Sequence, residues 1–278
     1  MKTGEDMRVV VITGGTSGIG KECAEYFVAH GDTVVVLARK PVGGVKNFYM
    51  CDVSINQMVH DVFAQINQKF GKIDILINNA GYGVSGATEI IKDEVAREIF
   101  DVNYFGALNC IRNVLTYMPK TGKIINVSSI VGFFPMPYRA FYAASKAALN
   151  SLSASVDAEL KPYGIRSVAV CPGDVATNFG TNRVKSFETN ERYGERVKNA
   201  TMCINEDAST RMPPIKIAKI VYKISLKKDP KPYTLIGGGY KTLYAASRIF
   251  RLKTVYKILG KIFDGRKPKK QKDPKDEK

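Results

Sequence analysis

Short runs of β-branched and aliphatic residues recur along the chain, separated by longer stretches in which apolar positions return every three to four residues. Residues 9–13, 33–38, 73–78, 123–128 and 165–171 are apolar without the alternation of a strand that has one wet face, which predicts strands buried on both sides. A shorter run at 47–50 predicts one more strand, and 233–236 a last one, closed by Gly237, Gly238 and Gly239. Between them, 20–30, 55–70, 92–118 and 142–163 have helical length and spacing. The βαβα order predicts an α/β, doubly wound parallel sheet of the Rossmann type, occupying a single domain over residues 1–240. One interval breaks the pattern: only residues 40–46 separate the second and third strands, whereas a parallel crossover takes roughly a dozen residues or more. The usual helix is therefore expected to be missing there, leaving that edge of the sheet open.

The polar stretches change the picture at the C-terminal side. Residues 178–212 are polar, mixed and weakly periodic, which suits a mobile flap better than a core element. Past the last strand, Leu243, Ile249, Leu252, Tyr256, Leu259 and Phe263 recur at helical spacing, with Arg248, Arg251, Lys253, Lys257 and Lys261 interleaved, predicting an amphipathic basic helix over 241–264. Residues 265–278 form a charged, Pro-containing tail expected to be disordered. At 278 residues and 45% hydrophobic composition the chain can bury one full core. Its net charge is +16, but residues 241–278 hold 13 Lys/Arg against 4 Asp/Glu, so +9 of that charge lies in the final segment. The remainder has no basic stripe or recognition motif, which argues against a nucleic-acid partner. Five scattered cysteines without a CxxC pair suggest neither a disulfide framework nor a zinc knuckle. Acidic residues ahead of a short apolar run do not make a signal peptide, and no run approaches the ~20 apolar residues of a membrane span, so a cytoplasmic location is expected.

Chemistry enters at the first strand-to-helix turn. Thr13-Gly14-Gly15-Thr16-Ser17-Gly18-Ile19-Gly20 follows the first strand and opens the first helix, so that backbone N–H groups and the positive helix end can face a pyrophosphate that a Cβ would obstruct. The residue ending the second strand selects the cofactor, because a carboxylate there hydrogen-bonds a ribose and repels a 2′-phosphate. Ala38 fills that place, and Arg39 and Lys40 follow, which favours NADP(H) over NAD(H). Tyr142 and Lys146, in Tyr-Ala-Ala-Ser-Lys, stand four residues apart on one helix face. An ammonium near a phenol favours phenolate and lowers its pKa, allowing proton exchange with an alcohol or carbonyl. His30 and His60 lack partner ligands at useful spacing, and this chemistry requires no metal.

Together with Cys51-Asp52-Val53, Asn78-Asn79-Ala80-Gly81, Asn103 in Val-Asn-Tyr, Ser129 in Asn-Val-Ser-Ser, and Pro172-Gly173 through Thr177, these motifs make the chain resemble the short-chain dehydrogenase/reductase family, from Val9 to about Thr177. The resemblance implies an oxidoreductase acting on CH–OH donors, in which Tyr142 transfers the proton while hydride passes between nicotinamide and the substrate carbon. It implies that Ser129 polarises the substrate carbonyl, with Ser128 the competing choice, since period-two alternation sends the two to opposite faces. It further implies that Lys146 binds the nicotinamide ribose, that Asn103 holds a water linking Lys146 to solvent, and that Asp52 meets the adenine. Asn79 would support the cofactor-binding edge, Val175 and Thr177 would hold the carboxamide, and Val53, Ala80, Gly81, Pro172 and Gly173 would line the cofactor. For Asn103 a helix-kinking hydrogen bond is a compatible reading.

Phe133, Phe134, Met136 and Phe179 crowd the neighbourhood of Ser129 and Tyr142 and suggest a small apolar substrate. With the basic C-terminal segment, they make the chain look more like hydroxysteroid dehydrogenase-like and other lipid-handling members than like sugar reductases. The segment 241–264 could lie on an anionic membrane surface, cap the substrate mouth or pack on another subunit; family analogy suggests a homo-oligomer, dimer or tetramer. Two rival functions share the same residues: a 3-oxoacyl thioester reductase, and a non-catalytic NADP(H)-binding sensor or scaffold, against which the intact Ser129, Tyr142 and Lys146 count.

Overall fold

Every residue of the first strand, Val9–Thr13 (β1), is buried, because the strand lies in mid-sheet with helices on both sides. The computed structural model describes residues 7–180, 183–203 and 211–247. Along the chain, β1 is followed by α1 (Gly18–Ala29), β2 (Thr33–Ala38), β3 (Phe48–Met50), α2 (Asn56–Phe70), β4 (Ile75–Asn78) and β5 (Val84–Ser85). Then come α3 (Asp93–Phe100), α4 (Gly106–Val114), β6 (Lys123–Val127), α5 (Ala140–Leu160), β7 (Arg166–Pro172) and β8 (Val184–Lys185). The described part closes with α6 (Arg196–Cys203), α7 (Pro214–Ser225), β9 (Tyr233–Ile236) and α8 (Gly238–Ser247).

Seven strands form one sheet in the order β3-β2-β1-β4-β6-β7-β9, and every pairing in it is parallel. The chain thus winds outward first one way and then the other, and the order reverses between β1 and β4, opening a crevice at their C-terminal ends. The two-residue strand period sorts the apolar side chains into two cores. Val9, Val11, Val35, Leu37 and Ile124 pack with Phe63, Ile66 and Cys110 on one face, while Val10, Ile12, Val36, Ile77 and Ile125 pack with Phe27, Ile217 and Val221 on the other.

The connection from Ala38 to Phe48 carries no helix, and Val42 within it is about half exposed. Four departures from the sequence-based expectations matter for the site. First, 92–118 is helical but irregular: a π turn, Asp101–Phe105, links α3 to α4 without a break in helical backbone, and a 3-10 turn, Leu115–Tyr117, ends the stretch. Second, Pro214–Ser225 is a helix although 213–225 carried no expectation; its Ile217, Val221 and Ile224 make the spacing that seats it against α1, and Pro214 suits its first turn. Third, the polar stretch 178–212 contains β8, paired in parallel with β5, and the fully buried Val197 of α6, so it is partly built into the fold. Fourth, Gly238 and Gly239 start α8 rather than ending a strand, and Leu243 and Tyr244 of α8 pack toward the cluster around Phe134 and Tyr142. The rest of the expected 241–264 helix beyond Ser247, and the 265–278 tail, lie outside the described residues. Among the described residues no helix is long and apolar enough to cross a membrane.

Candidate active site

The glycine-rich loop is shaped by contacts that exclude a Cβ. Gly14 and Gly18 have φ of 65° and 52°, in the region that L side chains avoid. A Cβ on Gly14 would lie 3.0 Å from the Ala80 Cα, and one on Gly20 would overlap Asn79 Nδ2 and the Gly14 carbonyl. Asn79 Nδ2 donates to the carbonyls of Thr13 (3.1 Å) and Gly14 (3.0 Å), while Thr13 Oγ1 accepts from the backbone N–H groups of Asn79 (2.9 Å) and Ala80 (3.0 Å). The turns after β1 and β4 are thereby tied together where the strand order reverses. Ser17 precedes α1 without a capping side-chain bond, so the first N–H groups of that helix remain available to an anion.

A cavity of about 1120 Å³ runs from this loop along the C-terminal ends of the strands. Arg39, Lys40, Asp52 and Val53 line one end; Gly14, Thr16, Ser17, Gly18, Ile19, Asn79, Ala80 and Gly81 line its middle. Ser129, Met136, Tyr142, Lys146, Pro172, Gly173, Val175, Thr177 and Phe179 line the other end. Of the residues expected at the site, Gly20 and Asn103 stand behind this wall, as do Phe133 and Phe134. Phe133 meets the rings of Tyr233 and Tyr244, at 5.4 and 5.1 Å, and Phe134 is buried, so both serve packing.

The two serines after β6 separate as their alternation requires. Ser128 Oγ donates to the Lys146 carbonyl (3.1 Å) inside the fold, whereas the Ser129 hydroxyl lies close enough to the Tyr142 phenol to draw its pKa down and accepts from the Val131 N–H (3.3 Å). Lys146 follows Tyr142 by one helical turn of α5; its Nζ is 6.0 Å from the phenol ring centre and donates to the Val127 carbonyl at 2.9 Å. Burial pulls the Lys146 ammonium down to about 8. It also holds the Tyr142 phenol above its ordinary value of about 10, and this outweighs the opposing Ser129 hydroxyl and the charges of Arg183 and Arg139. The expectation that Lys146 lowers the phenol is thus corrected for the protein alone: desolvation dominates, and the ammonium is turned toward a backbone carbonyl.

Asn103 sits in the π turn. Its Oδ1 accepts from the Tyr82 N–H and its Nδ2 donates to the Tyr82 carbonyl and to Ser145 Oγ, each at 3.0 Å. A Cβ on Gly81 would lie 2.7 Å from Asn103 Oδ1, and Lys146 Nζ is 3.6 Å from the same point, so Gly81 keeps the lysine and asparagine close. Extra backbone in the helix thus presents a side-chain amide to the loop after β4.

Arg139, Asp174, Arg183, Arg211 and Tyr240 line the cavity on the Tyr142 side and were not singled out by motif. Arg139, three residues ahead of Tyr142 at the start of α5, was accessible to a spacing argument. Arg183 and Arg211 reach the cavity through the pairing of β5 with β8 and the bridge between Val175 and Met212, which no local pattern announces.

A family model described as short chain dehydrogenase matches residues 8–187. The chain is 36% identical over 248 residues to a 3-ketodihydrosphingosine reductase of Bacteroides thetaiotaomicron, covering 87% of this chain and 92% of that one. It is 35% identical over 186 residues to a 3β-hydroxysteroid dehydrogenase of Mediterraneibacter gnavus, with 62% and 67% covered. Among solved structures, a short-chain dehydrogenase from Streptomyces avermitilis superposes with a TM-score of 0.80 at 28% identity, covering 93% and 98%. ElxO with NADP bound superposes with a TM-score of 0.71 at 26% identity, covering 85% and 99%.

Proposed function

The chain belongs to the short-chain dehydrogenase family, and from that membership we propose that it interconverts a secondary alcohol and a ketone on an apolar, lipid-like or steroid-like substrate, with NADP(H) as hydride carrier. One observation carries the reading: the neighbouring Ser129 and Tyr142, with Lys146 one turn on, stand in the same cavity as the glycine loop. The site fits a dinucleotide, because the cradle between Gly14 and Ala80 has no room for a side chain and the first turn of α1 leaves N–H groups to bind phosphate.

A bound nicotinamide dinucleotide supplies hydride in reduction and takes it up in oxidation. Ser129 and Tyr142 both donate hydrogen bonds to the carbonyl oxygen, drawing electron density from the carbon that receives hydride. As the C–H bond forms, Tyr142 passes its phenolic proton to that oxygen, so ketone, hydride and proton balance to the secondary alcohol; oxidation returns the proton to the phenolate. Lys146 stabilises that phenolate by its charge. Asn103, through Tyr82 and Ser145, positions the segment against which Lys146 lies.

The preference for NADP(H) rests on Ala38, Arg39 and Lys40, both cations being exposed at the cavity end, and is supported by the likeness to ElxO, solved with NADP bound. Replacing Arg39 by Ala is expected to raise the KM for NADPH about 10- to 30-fold, as one phosphate contact is lost, and that for NADH less than about twofold. Equal effects on both would overturn the assignment. Met136 and Phe179 on the cavity wall support an apolar substrate, as do the relatives named for a 3-ketodihydrosphingosine and a 3β-hydroxysteroid. Steroid and long-chain ketones assayed with both nicotinamides test this; faster turnover of small polyols and sugars would overturn it.

A further inference from the structure

The Tyr142 end of the cavity is lined by three guanidinium groups, those of Arg139, Arg183 and Arg211. Asp174 stands among them and accepts a hydrogen bond from Tyr240 at 3.2 Å, so the local balance is cationic. Arg183 is the most telling of the three. Its Nε and Nη1 are buried and have no hydrogen-bond partner among the described residues. The side chain is nevertheless held in place: β8 begins at the next residue, Nε lies 2.9 Å from where a Gly83 Cβ would be, and Cζ is 5.9 Å from the centre of the Phe179 ring. The same ring lies 5.6 Å from that of Tyr142, so the guanidinium and the phenol share one aromatic neighbour. Arg139 donates from Nη1 to the Met136 sulfur at 3.5 Å, a weak acceptor.

Burial, with Arg139 and Arg211 nearby, draws the Arg183 guanidinium down to about 10, so it stays charged at neutral pH; burial lowers Arg139 as well. A buried cation whose donors meet no acceptor is costly, and native structures tolerate it chiefly where a ligand supplies the missing partner. The pyrophosphate cradle lies at Gly14 to Ile19, whereas Arg183 packs against Gly83 and Phe179, whose ring is in contact with that of Tyr142. Resting on the oxidoreductase reading above, we propose that the substrate carries an anionic group, a phosphate or a carboxylate, held by Arg183 and Arg139 near the carbonyl presented to Tyr142, with its apolar remainder along Phe179 and Met136. A substrate with an ammonium beside its ketone would meet like charge in this pocket.

The test uses the full-length protein, NADPH and four long-chain ketones of matched length: a γ-keto acid, its methyl ester, the phosphate monoester of the corresponding keto alcohol, and an amino ketone. For the wild-type protein, kcat/KM for the better anionic ketone is expected to exceed that for the methyl ester by about 30-fold, the effect of one charge-assisted contact; which anion is better distinguishes phosphate from carboxylate. Arg183→Met is expected to reduce this ratio to about 3, and Arg183→Lys to restore part of it, with the Kd for NADPH changed less than about twofold. Equal or better turnover of the ester or the amino ketone by the wild-type protein overturns the anion site and leaves the oxidoreductase reading standing; this comparison needs no variant to fold. Weaker NADPH binding by Arg183→Met, with the ratio unchanged, assigns the guanidinium to the cofactor and likewise overturns the proposal. NADPH binding without reduction of any ketone in the panel overturns the reading beneath it.

Discussion

Tyr142→Phe is expected to lower kcat by about 10³-fold, roughly 4 kcal/mol of transition-state stabilisation, while the Kd for NADPH changes less than about twofold. Phenylalanine keeps the ring that packs against Phe179 and removes only the phenolic oxygen beside Ser129. The cofactor cradle at Gly14, Asn79 and Ala80 is built by other residues, so nucleotide binding survives. The pH dependence follows from the neighbouring lysine. Burial holds the phenol above its ordinary value, so it is protonated and ready to donate throughout the neutral range. Lys146 titrates near 8, and the ammonium that stabilises the phenolate is present below that pH and lost above it. Reduction is therefore expected to slow as pH rises through about 8. Initial rates and fluorescence titration of NADPH check both points; a variant that keeps a tenth or more of the normal kcat would remove Tyr142 as proton donor.

Asp157→Ala is expected to destabilise the fold by about 2–4 kcal/mol, because it removes the two-pronged partner of a buried guanidinium and leaves it only Asp229 and the Pro230 carbonyl. Asp157 on α5 and Arg166 at the start of β7 are both about 5% exposed and form a two-pronged pair, Nε to Oδ1 and Nη2 to Oδ2, each 2.8 Å. Asp157 Oδ1 also accepts from the Ser167 N–H at 2.9 Å, and Arg166 further donates to Asp229 and, at 3.2 Å, to the Pro230 carbonyl. The cluster fastens the C-terminal end of the helix that carries Tyr142 and Lys146 to the sheet, so its loss loosens the site's scaffold as well. Burial pushes the Asp157 carboxyl upward, but the Arg166 and Ser167 hydrogen bonds prevail and hold it below the ordinary 3.8. With the folded value below the unfolded one, this contribution is present above about pH 4 and fades as pH falls through the folded pKa. Urea unfolding at pH 7 measures the loss, with Glu25→Ala, which breaks an exposed pair with Lys21, as a control worth under about 0.5 kcal/mol. A loss under about 1 kcal/mol for Asp157→Ala would show that the pair is replaceable by solvent.

The amino-acid order alone determined the parts of this protein governed by near neighbours. Apolar runs such as Val9–Thr13 and Thr33–Ala38 can only be strands buried on both faces, and the short link to Phe48 leaves no room for a crossover helix. The glycine loop and the Tyr142–Lys146 pair were legible for the same reason, since a turn's backbone needs and a helix's four-residue repeat are written in consecutive residues. The π turn at Asn103 was not, because Asp101–Phe105 reads as ordinary helix until the Asn103 amide finds the Tyr82 backbone and Ser145.

Burial and convergence belonged to the tertiary structure. Residue order suggested a phenol lowered by its lysine; the folded protein holds that phenol above its ordinary value, because desolvation depends on everything packed around the ring rather than on one neighbour. Phe133 and Phe134 look like pocket residues in the sequence but pack behind the wall, while Arg139, Arg183 and Arg211 come from three separate segments to one cavity. Pairings such as β5 with β8, a separate two-stranded sheet joined across about a hundred residues, depend on how the whole chain packs, so the catalytic pair could be read from spacing and the charges facing the substrate could not.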